Sequence, residues 1–167
     1  MDFALYVKKL NSMLDWSFVV NECLKYGINI VGTSAERAIS SSWSKGEWAN
    51  YHYHSEVGHV INLNPHINRI EVARVISETQ GIKVAPDEVY YWLWFHEIGH
   101  ATQKHFRNWK NAQMDYHFKK KGTSEDVARL YRKGEKAADR YANKRFLEWK
   151  AEGKMCRFAA AKKQPAA

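Results

Sequence analysis

Residues 90–100 have the sequence YYWLWFHEIGH, and this stretch decides the fold. Its apolar side chains, Trp94 and Ile98 among them, recur at the three- and four-residue spacing of an α-helix. Pro86 and Asp87 precede the stretch as a typical helix start, with Asp87 as the expected cap. We therefore predict a helix that begins near Asp87 and carries the whole stretch.

The same helix brings together side chains suited to metal chemistry. His96 and His100 differ by about 40° around the helix and by one turn, so both project from one face and can bind one ion about 2 Å from each nitrogen. Glu97 lies beside them, where a carboxylate can take a proton from a metal-activated water and return it to a leaving group. The stretch predicts a Zn²⁺ hydrolase site with Glu97 as general base, although Mn, Fe or Ni also suit such ligands.

The third ligand has to come from further along the chain. His105 lies five positions after His100 with no glycine between, which does not fit the six-residue spacing of a metzincin site. Glu135 is the stronger candidate, because Asp139 follows it by one helical turn and can hydrogen-bond the free ring nitrogen of a histidine ligand. His117 stays open as an alternative third ligand.

The rest of the chain has the pattern of one α+β domain. Residues 27–65 are rich in aromatic and β-branched residues and predict short strands in a small antiparallel sheet. Helices are predicted over residues 2–26, from Ile67 to Gln80, and from Thr123 toward Gly153. We expect one compact α+β domain over residues 1–158, with an H-E-x-x-H helix and a long C-terminal helix, followed by a flexible basic tail over residues 159–167.

Composition limits the partners. The chain has 167 residues, and its 26 Lys and Arg against 18 Asp and Glu give a net charge of +8. Residues 119–163 hold 15 of the basic and 6 of the acidic residues, so the excess belongs to the predicted last helix and its flanks. No apolar stretch approaches the roughly 20 residues of a membrane span, and no export signal is recognisable. We expect a cytoplasmic protein with no membrane partner, and its two separated cysteines indicate no disulfide framework.

The two motifs together resemble a known group of enzymes. The sequence HEIGHA from His96, followed by E-x-x-A-D-x-Y-A from Glu135, resembles the gluzincin zinc peptidases. It is similar within that group to the small ImmA/IrrE-like metallopeptidases of bacteria and phages, in which a strand ending in Asn-Pro, as at residues 64–65, precedes the motif helix. The resemblance covers about residues 57–146. It implies that His96, His100 and Glu135 bind zinc, that Glu97 is the general base, and that the strand over residues 60–63 is the sheet edge along which an extended protein or peptide substrate lies.

Two other classes of function stay open. The basic segment is compatible with a DNA-associated SprT-like or ArdC-like metalloprotein, although a solvated helix face is the favoured explanation of the charge. A non-catalytic structural zinc protein is the third alternative. Residues considered for smaller roles are the oxyanion-stabilising candidates His66, Tyr131 and Tyr141, and the strand histidines His52, His54 and His59, for which surface positions are favoured over a second metal site.

Overall fold

A computed structural model of the protein describes residues 28–31, 46–54, 58–102 and 125–153, with the backbone alone for residues 28–31, 52–54 and 58–60. The helix predicted over residues 2–26, the histidines His105 and His117, and the tail from residue 159 lie outside these ranges. The described part is mixed α+β, with a small sheet followed by three helices.

The sheet contains three strands, β1 (Ile28–Val31), β2 (Ala49–His54) and β3 (Gly58–Leu63), in the order β1-β3-β2. The antiparallel pairing predicted between β2 and β3 is confirmed, with Tyr51 opposite Ile61. However, β1 runs parallel to β3, so the sheet is not purely antiparallel. A strand's alternation is the same in both directions, so the sequence pattern does not distinguish them.

The same strand order corrects the predicted substrate edge. The strand over residues 60–63 is hydrogen-bonded on both sides, to β1 and to β2, so it is the central strand and has no free edge. Among the described strands, β2 stands at one end of the order and contacts the helix over Val89–Ala101. The central position explains why Ile61 and Leu63 are completely buried.

Helix α1 (Arg69–Gln80) follows the prediction closely. It begins two residues later than Ile67 because the Asn68 side chain caps it, accepting a hydrogen bond from the Glu71 backbone N–H at 3.3 Å. It ends at Gly81, whose φ of 67° is the left-handed conformation that glycine adopts most easily at a helix C-terminus. The end of α1 places the side chain of Gln80 toward the other helices.

Helix α2 (Val89–Ala101) carries the H-E-x-x-H motif but starts later than predicted. Asp87 is exposed and is not the cap; the residue in the cap position is Glu88, whose side chain makes no capping bond. Its carboxylate instead accepts hydrogen bonds from the Ala85 backbone N–H at 2.9 Å and from Lys150 Nζ at 2.7 Å. A tertiary contact with Lys150 thus replaces the local cap that the sequence indicated.

Burial of α2 extends all the way round the helix. Every residue except His96 and Ala101 is buried, because β2 and β3 pack on one side and the last helix on another. Aromatic rings fill much of this core, and those of Phe95 and Trp149 meet edge to face with centroids 5.6 Å apart. A helix that is apolar on all sides is a central core element, and the motif histidines are therefore held in a rigid part of the molecule.

Helix α3 (Glu125–Ala151) is the long C-terminal helix, and it packs on α2 along one stripe. The crossing is closest at Gly99, where a Cβ atom would lie 2.8 Å from Ala138 Cα and 3.2 Å from Ala138 Cβ. Only a glycine allows this approach, which brings Glu135 and Asp139 to the motif face of α2. The buried stripe of α3 consists of Gly134, Ala138, Ala142, Phe146 and Trp149.

None of the described helices is long and apolar enough to cross a membrane.

Candidate metal centre

The two motif histidines converge on one point. His96 and His100 lie one turn apart on α2, and their Nε2 atoms are 3.2 Å apart. Their rings are almost perpendicular, with an interplanar angle of 88° and centroids 4.8 Å apart. At this separation one Nε2–H can donate to the other nitrogen, and the same convergence of two ring nitrogens suits two ligands that share an ion.

Glu135 adds a third ligand atom from α3. Its Oε2 lies 3.4 Å from His96 Nε2, and its Oε1 lies 3.7 Å from His100 Nε2. In a tetrahedral zinc site with bonds of about 2.0–2.1 Å, neighbouring ligand atoms are roughly 3.3 Å apart. The three residues therefore have the chemistry of zinc ligands, and one potential ligand atom from each lies within 4.8 Å of the other two.

Asp139 lies on the far side of the His96 ring. One of its carboxylate oxygens, Oδ1, is 2.9 Å from His96 Nδ1. The ring N–H does not point straight at this oxygen, so the contact is close but bent. A carboxylate here favours the tautomer with the proton on Nδ1, which leaves the Nε2 lone pair directed at the ligand cluster.

Aromatic rings fix the planes of both histidines. Trp92 stacks on His96 with centroids 5.5 Å apart and an interplanar angle of 28°. Tyr51 of β2 stacks on His100 at 6.4 Å and 27°, and its own burial raises the pKa of its hydroxyl. One of these contacts comes from α2 itself and the other from β2, and both restrict rotation of the histidine rings.

The electrostatics of the site favour a cation. Burial lowers the pKa of His96, but the Asp139 and Glu135 carboxylates beside it outweigh this and raise the pKa to about 10. His100 has no such compensation, and burial together with the neighbouring His96 charge lowers its pKa. Without a metal, one proton on His96 thus supplies the positive charge that two carboxylates attract, and a divalent ion can supply it instead.

Glu97 is buried beside the ligand cluster and lines a cleft of about 290 Å³. Burial raises the pKa of its carboxyl to about 8, and the nearby Glu135 and Glu47 charges add to this, while His96 opposes it. Such a carboxylate holds a proton near neutral pH more readily than an ordinary glutamate does. The cleft is also lined by Glu47, Trp48, Ala49, Thr79, Gln80 and Asp139.

Other sequence candidates are not part of this cluster. His66 is exposed, and Tyr141 packs against the hydrophobic core. Neither of these residues, nor Tyr131, is among the described residues that line the cleft, and an oxyanion-stabilising role for any of the three stays a prediction. His52, His54 and His59 occupy β2 and β3, and the second metal site considered for them depends on side chains outside the described part.

The positions of several residues around the site were not predicted from the sequence. Trp92 precedes His96 by four positions, and Asn143 follows Asp139 by four, so helical spacing was the available signal for both. Gln80 and Tyr51 come from other elements and have no local signal. A comparison of the chain with protein-family models, with curated proteins and with solved structures finds no match.

Proposed function

We propose that the chain is a zinc metallopeptidase of the gluzincin type, similar to the small ImmA/IrrE-like enzymes, and that it has a zincin-like fold. The observation that carries the proposal is the cluster of His96, His100 and Glu135, with Glu97 beside it at a cleft. A structural zinc site has four protein ligands and no opening, whereas the three potential ligands found among the described residues lie next to a cleft, which suits a fourth position for water or substrate.

His96, His100 and Glu135 would hold the zinc, which when bound lowers the pKa of water and polarises a carbonyl. Glu97, which is buried and lines the cleft beside the ligands, would in its ionised form accept the proton of the attacking water and pass it to the leaving amine. Asp139 orients the His96 ring from the opposite side. The reaction is therefore hydrolysis of a peptide bond without a covalent intermediate on the protein.

The substrate would lie along the beginning of β2. Residues 46–49 line the cleft, and β2 is a terminal strand of the described sheet order. An extended peptide that adds to a strand edge gains backbone hydrogen bonds regardless of its sequence. The resemblance assigned this role to residues 60–63, and the strand order transfers it to β2.

The proposal is tested by metal analysis and proteolysis of fluorescein-labelled casein by the purified chain loaded with Zn²⁺. We expect one zinc per chain and casein cleavage. Glu97→Gln should keep the zinc and lose about 100-fold or more of the activity, because proton transfer is lost while the ligands remain. Glu78→Gln is the control, since Glu78 is exposed and pairs only with Arg74 among the contacts described. Full activity of Glu97→Gln would contradict the proposal, and zinc binding without any cleavage would favour a structural zinc protein.

One observation favours nucleic-acid binding as a second candidate function. Arg132, Lys133, Lys136 and Arg140 are exposed on α3 next to the ligand Glu135. If they contact phosphates, affinity for duplex DNA falls steeply with salt, and replacing all four by Gln reduces both the affinity and its salt dependence. Absence of binding at about 50 mM salt would exclude this candidate and leave the charge as a solvated face.

A further inference from the structure

A row of hydrogen-bonded side chains runs behind the metal centre and connects all three helices. The Trp92 indole Nε1–H donates to Asn143 Oδ1 at 2.9 Å, and Asn143 Nδ2 donates to Gln80 Oε1 at 3.1 Å. Gln80 Nε2 then donates to Asp139 Oδ2 at 3.2 Å. The other oxygen of Asp139 is the one that meets His96. We call these four side chains the amide row.

The amide row has only one possible direction. An indole N–H is a donor and never an acceptor, so the Asn143 atom that faces Trp92 must be its oxygen. The Asn143 amide group therefore faces Gln80 with its NH₂, and Gln80 in turn faces Asp139 with its own NH₂. The Asp139 end of the row requires the same direction, because an ionised carboxylate only accepts hydrogen bonds. Both ends therefore impose the same orientation on the two amides between them.

The residues at both ends of the amide row contact the His96 ring. It starts at Trp92, which stacks on the His96 ring, and it ends at Asp139, which touches the Nδ1 of that ring. Gln80 is the last residue of α1, whereas Asn143 lies one turn after Asp139 on α3. Movement of any of the three helices would therefore be transmitted to the carboxylate behind His96.

We propose that Gln80 and Asn143 are positioning residues, which fix the Asp139 carboxylate so that His96 presents Nε2 to the metal. The proposal rests on the proposed function for its role in metal binding, whereas the direction of the row is a property of the metal-free protein. Residues that orient a ligand from behind typically change metal affinity by about 10–100-fold when they are lost. The two aspects are tested separately.

The role in metal binding is tested by replacing Gln80 with Met, which keeps the length and loses both hydrogen bonds. We expect Gln80→Met to bind Co²⁺ about 10-fold or more weakly and to shift its visible absorption, which reports ligand geometry. The control is Thr79→Val. Thr79 also lines the cleft, but its hydroxyl bonds only to the α1 carbonyls of Val75 and Ile76. Unchanged Co²⁺ affinity and spectrum in Gln80→Met, with wild type binding Co²⁺, would overturn the positioning role.

The direction of the row is tested without metal, by urea denaturation. Gln80→Glu places an acceptor against the Asp139 acceptor and should lower the denaturation midpoint. Adding Asp139→Asn restores a donor, because the new amide can donate to the carboxylate introduced at position 80 and still offer an oxygen to His96. We expect the double variant to be more stable than Gln80→Glu alone. Asn68→Asp is the charge control, since it makes the same amide-to-acid change at the other end of α1 and keeps an acceptor for the cap.

The outcomes of the two tests are distinguishable. A double variant no more stable than Gln80→Glu would overturn the amide row itself, whether or not the chain binds metal. If the stability rescue is seen and wild type binds neither Co²⁺ nor Zn²⁺, the proposed function fails, the row stands as an element of the fold, and its positioning role is refuted with the metal site.

Discussion

Helices α2 and α3 both contribute to the candidate metal centre, but by different physical means. On α2, His96 and His100 are placed by helix geometry alone, on a helix that is buried on nearly every side. On α3, Glu135 reaches the same point only because one stripe of the helix packs against α2, while its opposite face is exposed. Two of the candidate ligands are therefore positioned by local helix geometry and one by tertiary packing, so metal binding is expected to depend on the packing between α2 and α3.

The largest effect is expected from loosening the α3 stripe at its apolar end. Phe146 is completely buried, and Phe146→Ala should lower the free energy of unfolding by about 3–5 kcal/mol. The matched control is Leu147→Ala, because Leu147 is 47% exposed and should change stability by about 0.5 kcal/mol or less. Urea denaturation followed by circular dichroism measures both. Similar losses for the two variants would mean that the stripe is not the packing surface.

Zinc should stabilise the fold through Glu135. At a free zinc concentration about 100 times the Kd, binding adds about 2.7 kcal/mol to the free energy of unfolding. Glu135→Ala should lose most of this increment, because the two α2 histidines alone then bind the ion. Thermal denaturation with zinc, and with EDTA as the control, compares the two proteins. An equal zinc increment in both would point to another third ligand, and His117 is then the next candidate.

The stability change of a Gly99→Ala variant distinguishes the effect of close helix packing from that of helix propensity. In an isolated helix, Gly→Ala stabilises by about 1 kcal/mol. Here the added Cβ would lie 2.8 Å from Ala138 Cα, so Gly99→Ala should destabilise by about 1–3 kcal/mol and weaken zinc binding. The sign of the stability change is therefore diagnostic. A stabilised variant with normal zinc affinity would show that α2 and α3 are further apart than described.

The smallest effect is expected where the end of α3 meets the start of α2. Lys150 Nζ donates to the buried Glu88 carboxylate at 2.7 Å and to the Lys83 carbonyl at 3.1 Å. Lys150→Met should cost about 1–2 kcal/mol, because Glu88 then loses a charged partner. In Lys144→Met the lost pair with Glu148 is 3.9 Å long and more exposed, so we expect a change near zero. Equal effects would show that the Lys150 contact is no stronger than a surface ion pair.

The features that the sequence predicted correctly depend on residues that are close together in the chain. The end of α1 at Gln80 and the shared face of the motif histidines follow from spacings of a few residues, and the structure has them. The i, i+4 pairing of Glu135 with Asp139 likewise follows from the helix, and the structure brings both to His96. Their catalytic roles, and the choice of Glu135 over His117, remain predictions.

What the sequence did not predict depends on contacts between distant residues. The parallel β1 and the central position of β3 are decided by strand order, which alternation does not encode. Asp87 has the composition of a cap, but the contact of Glu88 with Lys150, 62 positions away, moves the helix start. The hydrogen-bond partner of Gln80 is far away in the sequence, so its contact with Asp139 can be recognised only when α1 is placed beside α3.

Two contacts between α2 and α3 restrict the number of residues that can lie between them along α3. Gly99 meets Ala138 at one end and Glu88 meets Lys150 at the other, so the helices run antiparallel and are held together at two levels. Inserting or deleting one residue between Asp139 and Lys150 would turn one end of α3 by about 100° relative to the other. Either Glu135 would leave the histidines or Lys150 would leave Glu88. Substitutions are therefore tolerated along the outer face of this segment, but single-residue insertions and deletions are not.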